Sequence, residues 1–166
     1  MAKSHDVFIY LGTYPSADAA NEDMKLLRDL KGEGSYDTAV ISKDDKGKVH
    51  VKKRESAVCN GFMGGMAAGS VLAVIFPVGL IVGATIGDVT GAVGGHFKRG
   101  LASSDVKELA DILDQGQAAI LVVGETKVEP LLKRTGLQPT KQVTKDVAVS
   151  SKDIAEAIQE AGTEVS

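Results

Sequence analysis

Cys59 is the only cysteine in the 166-residue chain, so no disulfide can form within it. Positive charge is not in excess either. Nineteen lysines and arginines stand against 22 acidic residues, a net charge of −3, and no basic face runs along any segment to neutralise a phosphate backbone. Nucleic acid is therefore not an expected partner. The start Met1-Ala2-Lys3-Ser4-His5-Asp6 has no apolar signal-peptide core, which predicts a cytoplasmic globular part. Nucleotide loops are missing: no Gly-x-Gly-x-x-Gly follows a strand, and Gly94-Gly95-His96-Phe97-Lys98-Arg99 lacks the Gly-Lys-Ser/Thr ending that presents amides and lysine to phosphate. The histidines His5, His50 and His96 are few. On the expected sheet His5 and His50 lie about 17 Å apart at 3.3 Å per residue, so they share no ion within one subunit. Cys59 has apolar neighbours and no histidine near it in sequence, where a thiol behaves as a small hydrophobe. No catalytic group, metal or cofactor is expected, and the chain does not read as an enzyme.

Charge is scarcest between Ala57 and Phe97. These 41 residues carry one formal charge, Asp88, and ten of the nineteen glycines. Gly61, Gly65 and Gly69 form one ladder at a spacing of four, and Gly79, Gly83, Gly87, Gly91 and Gly95 form another. Every fourth residue of a helix drifts only about 40° around its axis, so each ladder is a strip without side chains where a second helix can approach backbone to backbone. That is a packing signal, and it points to a homo-oligomer.

The flanks read as an α/β unit. Asp6 to Leu11 alternates as a strand with both faces apolar. Ser16 can cap a helix with Asp18 in its first turn and Ala20, Met24, Leu27 and Leu30 at helical spacing. Tyr36 to Ser42 and Lys48 to Lys53 are strand patterns joined by the polar hairpin Lys43-Asp44-Asp45-Lys46-Gly47. Beyond the glycine segment, Asp105 and Glu108 suggest a capping box for a helix burying Val106, Leu109, Ala110 and Leu113, stopped at Gly116. Ala118 to Val123 is an apolar strand. The order βαββ, insertion, αβ predicts a ferredoxin-like βαββαβ sandwich, discontinuous over residues 1–56 and 98–166, with a glycine-rich hydrophobic helical hairpin inserted at 57–97. An amphipathic stretch from Val128 to Arg134, a strand from Gln142 to Val149 and a helix from Lys152 to Ala161 extend it.

Pro77 divides the insertion into Ala57 to Phe76 and Val78 to Phe97, each of about 20 residues, enough for a helix of about 30 Å, the thickness of a bilayer core. Lys52, Lys53 and Arg54 precede it and Lys98 and Arg99 follow it, as expected of two cytoplasmic roots. Against a plain transmembrane hairpin stand an apolar tip, Val74 to Gly79, and Asp88 near the middle of the second stretch, where an unpaired carboxylate would cost roughly 3 kcal/mol or more. Asp88 either keeps its proton, pairs with His96 two helical turns on, or sits at a kink or wetted interface satisfying backbone amides. The alternative to membrane association is a soluble assembly in which hairpins from several subunits bury one another.

The βαββ half, the glycine-zipper hairpin with its central proline, Gly87-Asp88-Val89-Thr90-Gly91, and Gly116-Gln117-Ala118-Ala119-Ile120-Leu121-Val122-Val123 together resemble a widespread bacterial glycine-zipper family, usually labelled predicted membrane proteins of unknown function. The resemblance covers Asp6 to Leu137. It implies a ferredoxin-like domain, a hydrophobic hairpin and a stress-related setting, and it brings no catalytic residues.

The expected function is accordingly a non-enzymatic, self-assembling protein whose cytoplasmic domain is held at the inner or plasma membrane by its hairpin, with itself and membrane lipid as partners. Two alternatives stay open. One is a soluble structural shell, ring or filament. The other is a small-ligand module using an open sheet face marked by Phe8 and Tyr10.

Overall fold

The computed structural model describes residues 7–30, 36–44, 46, 48–57, 81–82, 99–114, 118–149, 153 and 156. They form a mixed α/β fold: five antiparallel strands, one short parallel strand at their edge, and three helices. In chain order these are β1 (Val7–Tyr14), α1 (Ala17–Met24), a 3₁₀ turn (Lys25–Leu30), β2 (Tyr36–Lys43), β3 (Val49–Ala57), β4 (Ile81–Val82), α2 (Ser103–Asp114), β5 (Ala118–Glu125), α3 (Glu129–Arg134) and β6 (Lys141–Val147). Leaving β4 aside, the βαββαβ element order is the one the sequence pattern predicts.

The order of strands across the sheet is not. It runs β4-β3-β2-β5-β1-β6. A ferredoxin-like sandwich would put β3 between β1 and β2, whereas β5 occupies that position. The apolar content of the strands explains the exchange. Ala118 to Val123 carries no polar side chain and is buried throughout, so β5 is best satisfied with a strand on each edge and cover on each face. The sequence of β3, Val-His-Val-Lys-Lys-Arg-Glu-Ser-Ala, suits a place farther out.

One sheet face carries Phe8, Tyr10 and Tyr14 from β1 with Val40, Ile120 and Val122. Ala20, Met24 and Leu27 from α1 and the following turn close over it, together with Val128 and Leu132 at α3. The expectation of an open face at Phe8 and Tyr10 is thus corrected: both are buried, because α1 and α3 bring enough apolar surface to cover them. The opposite face holds Val7, Ile9, Leu11, Ile41, Leu121 and Val123, all buried, and α2 lies over its β1 and β6 side with Leu109 fully enclosed. Among the described residues no helix is long and apolar enough to cross a membrane.

Local chemistry sets the boundaries. Ser16 caps α1, its Oγ accepting the Ala19 N–H at 3.2 Å. α2 begins two residues before the expected capping box, the Ala102 carbonyl accepting the N–H groups of Asp105 and Val106 at 3.0 and 3.1 Å. Asp105 and Glu108 do not cap. One turn apart, they both reach Lys145 of β6, at 3.3 and 2.6 Å, and clasp the helix to the sheet. Gly100 lies so close to β6 that a Cβ there would stand 2.7 Å from Val147 Cγ1.

In the β2–β3 connection, the Asp44 carboxylate accepts the N–H groups of Lys46 and Lys48, each at 2.9 Å, and meets His50 Nε2 at 2.8 Å. The bond to His50 and then the backbone donors hold its pKa down, to about 2. A depressed carboxylate pKa stabilises the fold above the ordinary value, 3.8, and that contribution is lost as pH falls toward 2. Wild type should therefore lose more stability than Asp44→Asn between pH 4 and pH 2 in urea melts. Equal losses would mean that the carboxylate does not organise the hairpin.

The registers also locate the ends of the expected insertion. Ala57 is level with Tyr36, then Gly124, Phe8 and Asp146 across the sheet. On the return side the Gly100 carbonyl accepts the Ala148 N–H at 3.0 Å, just beyond β6. Exit and return thus lie at one end of the sheet, four strand spacings apart, or about 19 Å at 4.8 Å per strand. Within the segment, Ile81–Val82 pairs in parallel with Val49 and His50, where a helix over Val78 to Phe97 was expected. β-branched Ile-Val between the poor helix formers Gly79 and Gly83 favours this extended form. β4 sits eight residues of β3 from Ala57, about 26 Å toward the opposite end of the sheet.

Candidate functional site

Gly61, Gly65, Gly69, Gly79, Gly83, Gly87, Gly91 and Gly95, the proposed packing ladders, lie outside the described residues, as do Asp88, His96, Cys59 and His5. His50 is engaged with Asp44. Among the described residues no group of three His, Cys, Asp or Glu side chains could hold a metal ion.

A built polar arrangement occurs elsewhere, where the segment after α3 crosses the end of β1. Thr135 ends the helix, its hydroxyl donating to the Leu132 carbonyl at 2.6 Å, and Gly136 follows at φ +82°, a left-handed turn that suits glycine. The chain then runs back along β1. The Gln138 N–H donates to Asp23 Oδ2 at 2.7 Å and the Thr140 N–H to the Thr13 carbonyl at 2.8 Å. Asp23, half-buried on α1, also accepts the Tyr14 hydroxyl at 2.7 Å. Tyr10 and Tyr14 share a sheet face, with Gly12 between them. The Tyr10 ring lies over Gly12 and its hydroxyl donates to Gln142 Oε1 on β6 at 3.0 Å. Burial first, and then the negative charge of Asp23, push the Tyr10 phenol up to about 12. Burial and the Asp23 hydrogen bond raise Tyr14 as well. Both phenols are neutral at physiological pH and act as hydrogen-bonding groups.

Beside this arrangement is a pocket of about 280 Å³. Tyr10 and the β6 residues Gln142, Val143 and Thr144 form its floor. Glu129, Leu132 and Lys133 of α3, with Leu137, form the wall. Sequence reading missed Tyr14, Asp23 and Gln142, although Tyr10-Leu11-Gly12-Thr13-Tyr14 carried a signal: a glycine inside a strand marks a close approach.

Asp23→Ala should cost about 2 kcal/mol in denaturant unfolding, because it leaves the Tyr14 hydroxyl and the Gln138 N–H without their acceptor. Adding Tyr14→Phe to that variant should cost little more. Full additivity would show that the two side chains act independently.

Neither a curated protein nor a solved structure matches this chain. A protein family does, over residues 62–160. The match begins inside the glycine-rich segment and runs through β4, α2, β5, α3 and β6, leaving β1 to β3 outside it, whereas the sequence resemblance covers Asp6 to Leu137. Covering more than half of the 166 residues, it establishes that the chain belongs to the family described as protein of unknown function, DUF1269.

Proposed function

We propose that this chain is a non-enzymatic self-assembling protein in which an α/β frame, built from residues 1–56 and 98–166, carries the glycine-zipper segment 57–97 as its oligomerisation element, in or on a bilayer. The observation that carries this reading is the position of the two ends: Ala57 and Gly100 lie at one end of the sheet, as a segment held at one membrane surface requires, while between them Ile81–Val82 returns to the sheet edge nearer the other end. Basic residues at both ends, Lys52, Lys53 and Arg54 before and Lys98 and Arg99 after, suit a surface of anionic lipid. The ladder Gly61 to Gly69 and, beyond β4, the glycines Gly83 to Gly95 supply the close-packing strip, with Gly79 on the far side of the strand pair, and Asp88 with His96 supplies its polar point. A stress-related role rests on the family resemblance alone.

Fractionation of the expressed full-length protein tests this. The protein is expected in the membrane pool and in solution only after detergent. A second reading is favoured by β4, which joins the midpoint of the segment to the sheet edge: a soluble homo-oligomer whose apolar segments pack into a shared core. Recovery of all the protein in the soluble pool as a homo-oligomer would overturn the membrane reading and support this one.

A further inference from the structure

We propose that the pocket between α3 and β6 binds a free amino acid with an apolar side chain, held as its zwitterion. Size comes first. At about 280 Å³ the pocket lies just below the about 300–1,000 Å³ range of ligand sites, so its occupant is small. Charge comes second. Glu129 and Lys133 both line the pocket, four residues apart on one helix face, with opposite signs. Among the described residues neither has an ion-pair partner. A ligand bearing a single negative charge would satisfy Lys133 and be repelled by Glu129, and a cation would meet the reverse. A molecule with an ammonium and a carboxylate on one carbon matches both.

The remaining lining fits the same molecule. The Tyr10 hydroxyl donates a hydrogen bond to Gln142 Oε1, which orients the Gln142 amide and leaves its N–H donors for a ligand carboxylate oxygen in the pocket. Leu132 and Leu137 offer an apolar wall to an aliphatic side chain. No residue that lines the pocket belongs to the glycine segment, and its test does not use that segment, so failure of either proposal leaves the other standing.

Titration calorimetry of the full-length protein with L-leucine as the probe tests the proposal. Saturable binding is expected, weakened at least about tenfold for 4-methylpentanoate, which lacks the ammonium, and for leucinamide, which lacks the carboxylate. Glu129→Gln should remove the preference for leucine over 4-methylpentanoate, and Lys133→Gln the preference over leucinamide. Both variants change charged side chains in the pocket wall to a neutral amide of similar size, and circular dichroism should be that of the wild type. Absence of saturable heat with wild type would overturn the proposal. So would equal affinity for leucine and 4-methylpentanoate, which would make this a plain anion site, or variants that bind all three probes as wild type does.

Discussion

Replacing Gly83 and Gly87 together by leucine is expected to abolish self-association and leave circular dichroism of the α/β frame unchanged. The two positions are four residues apart in the second ladder, so on a helix both branched side chains would enter the strip where a neighbour approaches. Close-packed contacts between small residues tolerate added bulk poorly. Overpacking a fitted interior costs about 1–3 kcal/mol per site, and in an oligomer each interface carries the change on both partners. The effect is therefore a loss of the assembled state, seen as a fall in particle mass. The flanking glycines bear on how β4 is treated. Gly83 directly follows Ile81–Val82, so Gly87→Leu with Gly91→Leu is the companion variant that keeps clear of the strand pair. Dissociation in both variants assigns the effect to the ladder; dissociation only with Gly83→Leu assigns it to the β3–β4 edge.

Gly12→Ala should cost about 2 kcal/mol of folding stability, the middle of the range for overpacking a fitted site. The added Cβ would stand 2.6 Å from Tyr10 Oη and 3.0 Å from Pro139 Cβ. Tyr10 cannot yield freely, since its ring is buried and its hydroxyl is held by Gln142. A double-mutant cycle separates this clash from a general glycine effect. In a Tyr10→Phe background the nearest atom is gone, and Gly12→Ala should then cost clearly less. An identical cost in both backgrounds would mean that Pro139 or the strand backbone, and not the tyrosine, sets the requirement for glycine.

The glycine ladders and Gly12 differ in how far the sequence reveals them. The ladders were visible because a spacing of four repeats over many residues. Gly12 inside a strand signals a close approach, but what makes it is not legible locally, since the atoms that fill its space come from Tyr10 two residues before and from Pro139, more than a hundred residues away. The same division runs through the fold. Element identities were legible where short-range chemistry decides them: Ser16 as a cap, the alternation of Val7 to Leu11, the uninterrupted apolar run Ala118 to Val123. Strand order was not, because it depends on which strand most needs two neighbours, a comparison among distant segments that the βαββαβ order alone does not express. Asp105 and Glu108 illustrate a local pattern overruled. Their spacing suits a capping box, but Lys145 on β6 offers both carboxylates a charged partner, and α2 starts earlier in consequence. The pocket was illegible for the same reason as Gly12, being made where β1, α3 and β6 converge.

The central claim is that the chain assembles through its glycine-rich segment, and the mass of the full-length protein in solution tests it most directly. Light scattering on the purified chain, in detergent if it is recovered from membranes and in buffer if it is not, should give a protein mass that is a multiple of 17.3 kDa and that persists on dilution. A particle of 17.3 kDa in either medium at every concentration would contradict it.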